Sequence, residues 1–144
     1  MFNANYHSHS VDETILIAEI FARNLKDKDV IIFLNGELGA GKTHFTKGLF
    51  KALDFQDYLQ ITSPTFDIVN TYQTKNQKIN HLDLYRLDAI NQEDEIWLNE
   101  IIDDNSLSII EWGNKFEFKT KKKTYFVNIF IENENERIIE ISSN

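Results

Sequence analysis

The pattern of apolar and polar residues predicts strands that alternate with helices over most of the chain. Residues 30–34 form a continuous apolar, β-branched run, which is typical of a strand buried on both faces. Phe45 and Leu49 follow at the spacing of one helix face. A second apolar run, at residues 107–110, ends at the carboxylate of Glu111. This alternation predicts a single-domain α/β fold of three layers, in which helices flank a mixed central sheet.

Other segments show weaker patterns of the same two kinds. Ser10 and Glu13 fit a capping box, which predicts that a helix begins there. Residues 88–104 are acidic and carry apolar side chains at helical spacing, which predicts a further short helix. The remaining predicted elements are strands at residues 3–9, 66–74, 78–87, 125–132 and 137–142, with a hairpin turn at residues 75–77.

The segment between the first core strand and its helix matches the phosphate-binding pattern G-x-x-x-x-G-K-[ST] at every fixed position. Glycine lets backbone N–H groups converge on a polyphosphate at the positive end of the following helix. Lys42 is then expected to reach the β- and γ-phosphates of ATP, and the Thr43 hydroxyl to bind Mg²⁺. A turn that binds nothing is the alternative, but it would not require both residues. The predicted cofactor-binding residues are Gly36, Glu37, Leu38, Gly39, Ala40, Gly41, Lys42 and Thr43.

Two carboxylates and a hydroxyl complete the predicted site. Glu111 ends its strand at the edge where α/β sheets bind ligands. Asp83 lies on the polar face of the strand predicted at residues 78–87. We predict that both carboxylates bind the metal together with Thr43, and that both are catalytic together with Lys42. Thr65 is the fourth predicted catalytic residue, on a loop that folds back over the γ-phosphate.

Several of these residues also have a plainer interpretation. Glu111 and Asp83 could be strand charges that face water, and Thr65 could be an ordinary loop threonine. His81 is either a hydrogen-bonded structural histidine or a catalytic one. Trp112 either packs against its neighbours, which is the favoured interpretation, or stacks near the nucleotide.

The composition excludes several classes of protein. With 144 residues and 42% hydrophobic content, we expect one domain over residues 1–144. The absence of cysteine excludes disulfides and thiolate metal sites and fits a cytoplasmic protein. Neither a secretory signal nor a run of about 18 apolar residues is found, so we expect no membrane span. The net charge of −8 argues against unaided nucleic-acid binding. The basic cluster at residues 119–123 is either a solvated loop or a contact with an acidic partner or RNA.

Four ordered motifs resemble those of the TsaE (YjeE) family. They are residues 36–43, 63–66 (Ser-Pro-Thr-Phe), 81–87 (His-Leu-Asp-Leu-Tyr-Arg-Leu) and 110–113 (Ile-Glu-Trp-Gly). The similarity spans about residues 6–132 and implies a small bacterial P-loop ATPase, and hence a P-loop NTPase-like fold. Such an ATPase acts in the threonylcarbamoyladenosine (t6A) modification of adenosine 37 in tRNAs that read codons beginning with A. It also implies TsaD-like and TsaB-like partners, with TsaD carrying out the transfer and tRNA reached only through the complex.

The resemblance also implies residue roles. Lys42 and Thr43 correspond to the ligands of phosphate and Mg²⁺, Glu111 to a metal-side carboxylate, and Asp83 to a residue beside the γ-phosphate. Asn114 departs from the family pattern, in which Glu often follows the Glu-Trp-x unit. That difference could alter a contact at the rim of the site.

Three other functions share parts of this pattern. A small-molecule kinase usually needs several arginines, and this chain has three. A GTPase would need a guanine-reading Asn-Lys-x-Asp, which residues 114–117 resemble only superficially because they end in Glu. A nucleotide-dependent adaptor with little hydrolysis stays open, because binding and hydrolysis use the same residues.

The positions of the arginines predict a weak ATPase that depends on partners. Arg23 lies in the first predicted helix and Arg137 in the last predicted strand, so only Arg86 is near the site. In the predicted strand, Arg86 shares a face with Leu82 and Leu84, so its side chain is expected to point away from Asp83. P-loop proteins commonly need an arginine at the transferring phosphoryl group, so we expect partners to complete the site.

Overall fold

One mixed sheet of seven strands forms the centre of the computed structural model, which describes residues 2–64 and 66–144. The strands are β1 (Asn3–Ser8), β2 (Val30–Asn35), β3 (Val69–Gln73), β4 (Lys78–Asp83), β5 (Leu107–Glu111), β6 (Lys123–Ile131) and β7 (Arg137–Ser143). Their order across the sheet is β1-β7-β6-β2-β5-β4-β3. The four central strands β6, β2, β5 and β4 run parallel, and the outer strands pair antiparallel.

Helices cover both faces of this sheet. In the described part of the chain they are α1 (Val11–Arg23), α2 (Lys42–Ala52) and α3 (Gln92–Asp103). Helices α1 and α2 pack over one face, where Ile32 and Leu34 of β2 are buried with Phe45. Helix α3 packs over the other face, where Ile31 is buried against Leu98. The predicted three-layer α/β fold with a mixed sheet is therefore confirmed.

Local hydrogen bonds explain where the helices begin. Ser10 Oγ accepts from the Glu13 backbone N–H at 3.0 Å, which is the first half of the predicted capping box. The Glu13 carboxylate instead lies 3.1 Å from His9 Nδ1. A complete capping box joins Asn91 and Asp94 at the start of α3, a feature that our sequence analysis missed.

The predicted hairpin at residues 66–87 forms, but both strands are shorter than expected. β3 begins at Val69 rather than residue 66, and β4 ends at Asp83 rather than residue 87. The end of β4 has a clear cause: Asp83 Oδ1 accepts from the Tyr85 backbone N–H at 3.0 Å. A carboxylate that binds the backbone two residues on favours a turn over an extended strand. Residues beyond Asp83 therefore do not follow the strand alternation.

No helix in the described residues is long and apolar enough to cross a membrane.

Helices α1 and α2 approach each other closely at Gly48. A Cβ added at Gly48 would lie 2.2 Å from the Ile15 carbonyl oxygen and 2.6 Å from Ala18 Cβ. Alanine normally favours a helix over glycine by about 0.5–1 kcal/mol, but the backbone clash outweighs that gain. We expect Gly48→Ala to lower the free energy of unfolding by about 1–3 kcal/mol in urea denaturation. Lys47→Ala, one residue away, is the control and should change it by less than about 0.5 kcal/mol. A more stable Gly48→Ala variant would contradict this packing.

Candidate functional site

Residues 36–43, the predicted phosphate-binding segment (hereafter the phosphate loop), turn sharply between β2 and α2. Gly39 and Gly41 have φ angles of +83° and +111°, values that side chains with a Cβ rarely adopt. Gly41 precedes α2 and has no side chain with which to cap it, so the first N–H groups of α2 are left for another acceptor. Arg137 supports the loop from β7, since its guanidinium donates to Ala40 O at 3.0 Å and to Gly39 O at 3.2 Å.

Lys42 lies inside this loop and is buried, with 7% of its surface exposed. Its Nζ donates to Gly36 O at 2.7 Å and lies 4.1 Å from the centroid of the Trp112 ring. Burial lowers the pKa of Lys42, and the charges of Glu111 and Asp83 only partly oppose that effect. The ammonium group is thus held among the loop, an aromatic ring and two carboxylates.

Glu111 is the centre of a buried hydrogen-bond network. Its side chain is 3% exposed, and its Oε2 accepts from His81 Nε2 at 2.7 Å and from Ser63 Oγ at 2.8 Å. Ser63 Oγ in turn lies 3.4 Å from Thr43 Oγ1. Glu111 of β5 is paired in register with Asp83 of β4. The structure therefore brings Thr43, Glu111 and Asp83 to one edge of the sheet, while their roles stay predictions.

The two carboxylates experience opposite electrostatic environments. Burial raises the pKa of Asp83, the Tyr85 backbone hydrogen bond opposes this, and the negative charge of Glu111 raises it further. Burial also raises the pKa of Glu111, but the hydrogen bond and charge of His81, the Ser63 hydrogen bond and the Lys42 charge outweigh it, so the net shift is downward. Paired carboxylates with pKa values moved in opposite directions are typical of separate chemical roles.

Most of the predicted site residues line one open recess. It is lined by Leu38, Gly39, Gly41, Lys42, Thr43, His44, Ser63, Asp83, Tyr85, Arg86, Glu111 and Trp112. Gly36 and Glu37 line an adjoining recess on the other side of Lys42 and Trp112. Ala40 is fully buried. The predicted catalytic residue Thr65 lies outside the described residues.

Two predictions about arginines are wrong. Arg86 does not face away from the site but lines the same recess as Asp83, because β4 ends before the alternation reaches residue 86. Arg137 lies in the last strand as predicted, but Arg86 is not the only arginine near the site, because Arg137 donates to Gly39 O and Ala40 O of the phosphate loop.

The structure shows the contacts of three further residues of the site, Ser63, His81 and Trp112. Ser63 was not among the predicted site residues, although its position in the motif at residues 63–66 could have indicated it. His81 is fully buried and holds Glu111, and its Nδ1 has no hydrogen-bond partner among the described residues. Trp112 adopts a left-handed backbone with φ +58° and packs 5.0 Å from the Tyr85 ring. These contacts fit a positioning histidine and a packing tryptophan.

The opposite pKa shifts predict opposite effects of two isosteric variants on stability. Because the pKa of Glu111 is held below its ordinary 4.5, the ionised carboxylate stabilises the fold above pH 4.5, and this contribution is lost as the pH falls through the folded pKa. Because the pKa of Asp83 is raised above 3.8, its ionisation costs stability above the folded pKa, and the cost disappears below pH 3.8.

At neutral pH, Glu111→Gln should therefore lower the free energy of unfolding by about 1.5–3 kcal/mol, the range for hydrogen bonds to a charged group. Asp83→Asn should raise it, because an amide oxygen can still accept from Tyr85 N–H without carrying a charge. Urea denaturation at several pH values measures both effects, which should shrink as the pH falls. Equal shifts in the same direction at neutral pH would contradict the two environments.

Comparisons with known proteins find similar chains over nearly the whole sequence. The tRNA threonylcarbamoyladenosine biosynthesis protein TsaE of Aquifex aeolicus is 38% identical over 132 residues, which cover 92% of this chain and 90% of that protein. The protein of the same name from Rickettsia felis is 36% identical over 133 residues, covering 92% and 76%. The crystal structure of YdiB from Bacillus subtilis matches 99% of this chain and 86% of its own, with a TM-score of 0.73 and 26% identity.

The structural match supports a P-loop NTPase-like fold, as the phosphate loop between β2 and α2 indicates. The family model described as "Threonylcarbamoyl adenosine biosynthesis protein TsaE" matches residues 8–139, nearly the whole chain. The chain therefore belongs to the TsaE family.

Proposed function

We propose that this chain is the component of the tRNA t6A37 modification machinery that binds and hydrolyses ATP. The observation that carries the proposal is the recess in which the phosphate loop meets two carboxylates with oppositely shifted pKa values. Membership of the TsaE family supports the link to t6A biosynthesis.

ATP would bind across the phosphate loop. Its phosphates would occupy the recess beside Lys42, where the ammonium group and the uncapped N-terminus of α2 favour negative charge. A third recess, lined by His9, Val11 and His44, borders Gly39 and Gly41 and offers room for the nucleoside. Guanine recognition by the segment after Trp112 is not supported, because Lys115 Nζ donates to backbone carbonyls of the β4–α3 connection.

The oxygen atoms near the loop fit Mg²⁺. This ion prefers carboxylate, hydroxyl and phosphate oxygens, and Thr43 Oγ1, Ser63 Oγ and Glu111 Oε2 follow one another at 3.4 and 2.8 Å. Thr43 and Glu111 would hold the ion, with Asp83 as the third candidate on the same edge. When bound, Mg²⁺ neutralises charge on the phosphate oxygens.

Glu111 and Asp83 would have different roles in ATP hydrolysis. Glu111, with its lowered pKa, stays ionised and is kept in place by His81 and Ser63. Asp83, with its raised pKa, is the better proton acceptor and would orient the attacking water. Thr65 is proposed as a further contact to the γ-phosphate, on the sequence argument alone.

Partner proteins would complete the site and supply the link to tRNA. The Arg86 guanidinium lies 4.3 Å from the centroid of the Phe66 ring, which is 79% exposed. A TsaD-like or TsaB-like protein that covered Phe66 would fix Arg86 beside the phosphates, where an arginine is worth about 10³–10⁵ in rate. The net charge of −8 disfavours direct tRNA binding, so tRNA would be reached through the complex, in the cytoplasm.

ATP hydrolysis with and without TsaD-like and TsaB-like partners tests this proposal. We expect slow turnover by the chain alone and a large increase on adding the partners. Asp83→Asn should reduce the stimulated rate by about 10²–10⁴, the usual contribution of a positioned proton acceptor, while ATP still binds in calorimetry. Asp88→Asn is the control, because Asp88 is an exposed carboxylate outside the recess.

Several turnovers per second by the chain alone would contradict partner dependence. Full stimulated activity in Asp83→Asn would remove the role of that carboxylate. ATP binding and complex assembly without any stimulated hydrolysis would favour the nucleotide-dependent adaptor instead.

A further inference from the structure

Two histidines and a carboxylate form an exposed cluster at one edge of the sheet, away from the Glu111 network. His7 lies in β1, and His9 lies one residue beyond its end. Their rings stack with centroids 4.4 Å apart and planes 17° apart. Glu136 directly precedes β7, which pairs antiparallel with β1. Three residues that can bind metals are thus brought together by one strand pair.

The distances within the cluster suit a tetrahedral metal ion. Glu136 Oε1 lies 2.8 Å from His7 Nε2 and 3.6 Å from His9 Nε2. All three atoms lie within 4.8 Å of one another. Zinc binds nitrogen and oxygen at about 2.0–2.2 Å, which spaces tetrahedral ligands about 3.4 Å apart. The two distances from Glu136 lie on either side of that value, so small rotations of exposed side chains would complete the geometry.

Outer hydrogen bonds already orient two of the three side chains. His9 Nδ1 lies 3.1 Å from Glu13 Oε1, which leaves His9 Nε2 directed at Glu136. The second oxygen of Glu136 accepts from the Asn133 side-chain amide, and Asn133 Oδ1 accepts from the Asn135 and Glu136 backbone N–H groups at 3.0 Å. A carboxylate behind a ligating histidine and a hydrogen bond behind a ligating carboxylate are typical supports of metal sites.

We propose that His7 Nε2, His9 Nε2 and Glu136 Oε1 bind a first-row transition ion such as Zn²⁺ and leave one position open. Two imidazoles and one carboxylate suit zinc and disfavour Mg²⁺, which prefers oxygen ligands. The site therefore differs in chemistry from the oxygen cluster at Thr43, Ser63 and Glu111. Zinc binding there needs no ATP hydrolysis, although His9 also lines the recess proposed for the nucleoside.

A zinc titration of the full chain, without tag or nucleotide, tests the site above the usual histidine pKa of about 6.5. The chain has four histidines, so each imidazole can be followed separately in ¹⁵N–¹H spectra. We expect the His7 and His9 resonances to shift and to saturate at one equivalent of Zn²⁺. The resonances of His44 and His81 should stay in place. Unmoved His7 and His9 resonances, or shifts confined to His44 or His81, would overturn the proposal.

Matched variants separate this site from non-specific binding. His9→Ala and Glu136→Gln each remove one ligand from an accessible position, and calorimetry should show zinc affinity weakened by about tenfold or more. Glu140→Gln removes the same charge from the same strand pair without removing a ligand, so it should bind zinc as the unchanged chain does. Equal zinc affinity in all of these proteins would overturn the proposal.

Discussion

The buried carboxylate of Glu111 is the constraint on which the site depends. An ionised carboxylate away from water is stable only when charged or polar partners surround it. Here His81 provides one hydrogen bond from β4, and Ser63 provides the other from the segment after α2. The parallel pairing of β4 with β5 brings His81 and Glu111 close enough to interact. The hydrogen bond from Ser63 to Glu111 also leaves Ser63 Oγ 3.4 Å from Thr43 Oγ1. The contacts that stabilise the buried carboxylate therefore also arrange the groups of the site.

The phosphate loop is supported from two sides by residues far apart in the sequence. Inside the loop, Lys42 contacts Gly36 O and the Trp112 ring. Outside it, Arg137 contacts the carbonyls of residues 39 and 40 from the start of β7. β7 pairs with both β1 and β6. The antiparallel edge of the sheet therefore contributes to the shape of the loop, although it lies outside the parallel core.

Local patterns predicted the fold and the loop because both depend on residues close in sequence. The apolar run at β2, the glycines after it and the amphipathic α2 are adjacent, so periodicity and motif were sufficient. Arg137 lies in the last strand as predicted, but its contact with the loop and the direction of Arg86 were predicted wrongly, for a physical reason. The direction of the Arg86 side chain depends on where β4 ends, and a single hydrogen bond to Asp83 determines that end. Arg137 contacts Ala40 and Gly39, from which it is separated by 97 and 98 positions in the sequence. Ser63 joins Glu111 across 48 positions, so the motif at residues 63–66 could indicate the residue but not its partner.

We propose that residues 36–43 bind the phosphates of ATP, with Lys42 as a direct contact. Calorimetric titration of ATP with Mg²⁺ into the unchanged chain, Lys42→Ala and Lys51→Ala tests it most directly. Lys51 lies at the far end of α2 and provides the same loss of charge away from the loop. We expect ATP binding to be weaker by about 1.5–3 kcal/mol in Lys42→Ala, the range for a charged hydrogen bond, and nearly unchanged in Lys51→Ala. Unchanged ATP affinity in a folded Lys42→Ala variant would contradict it.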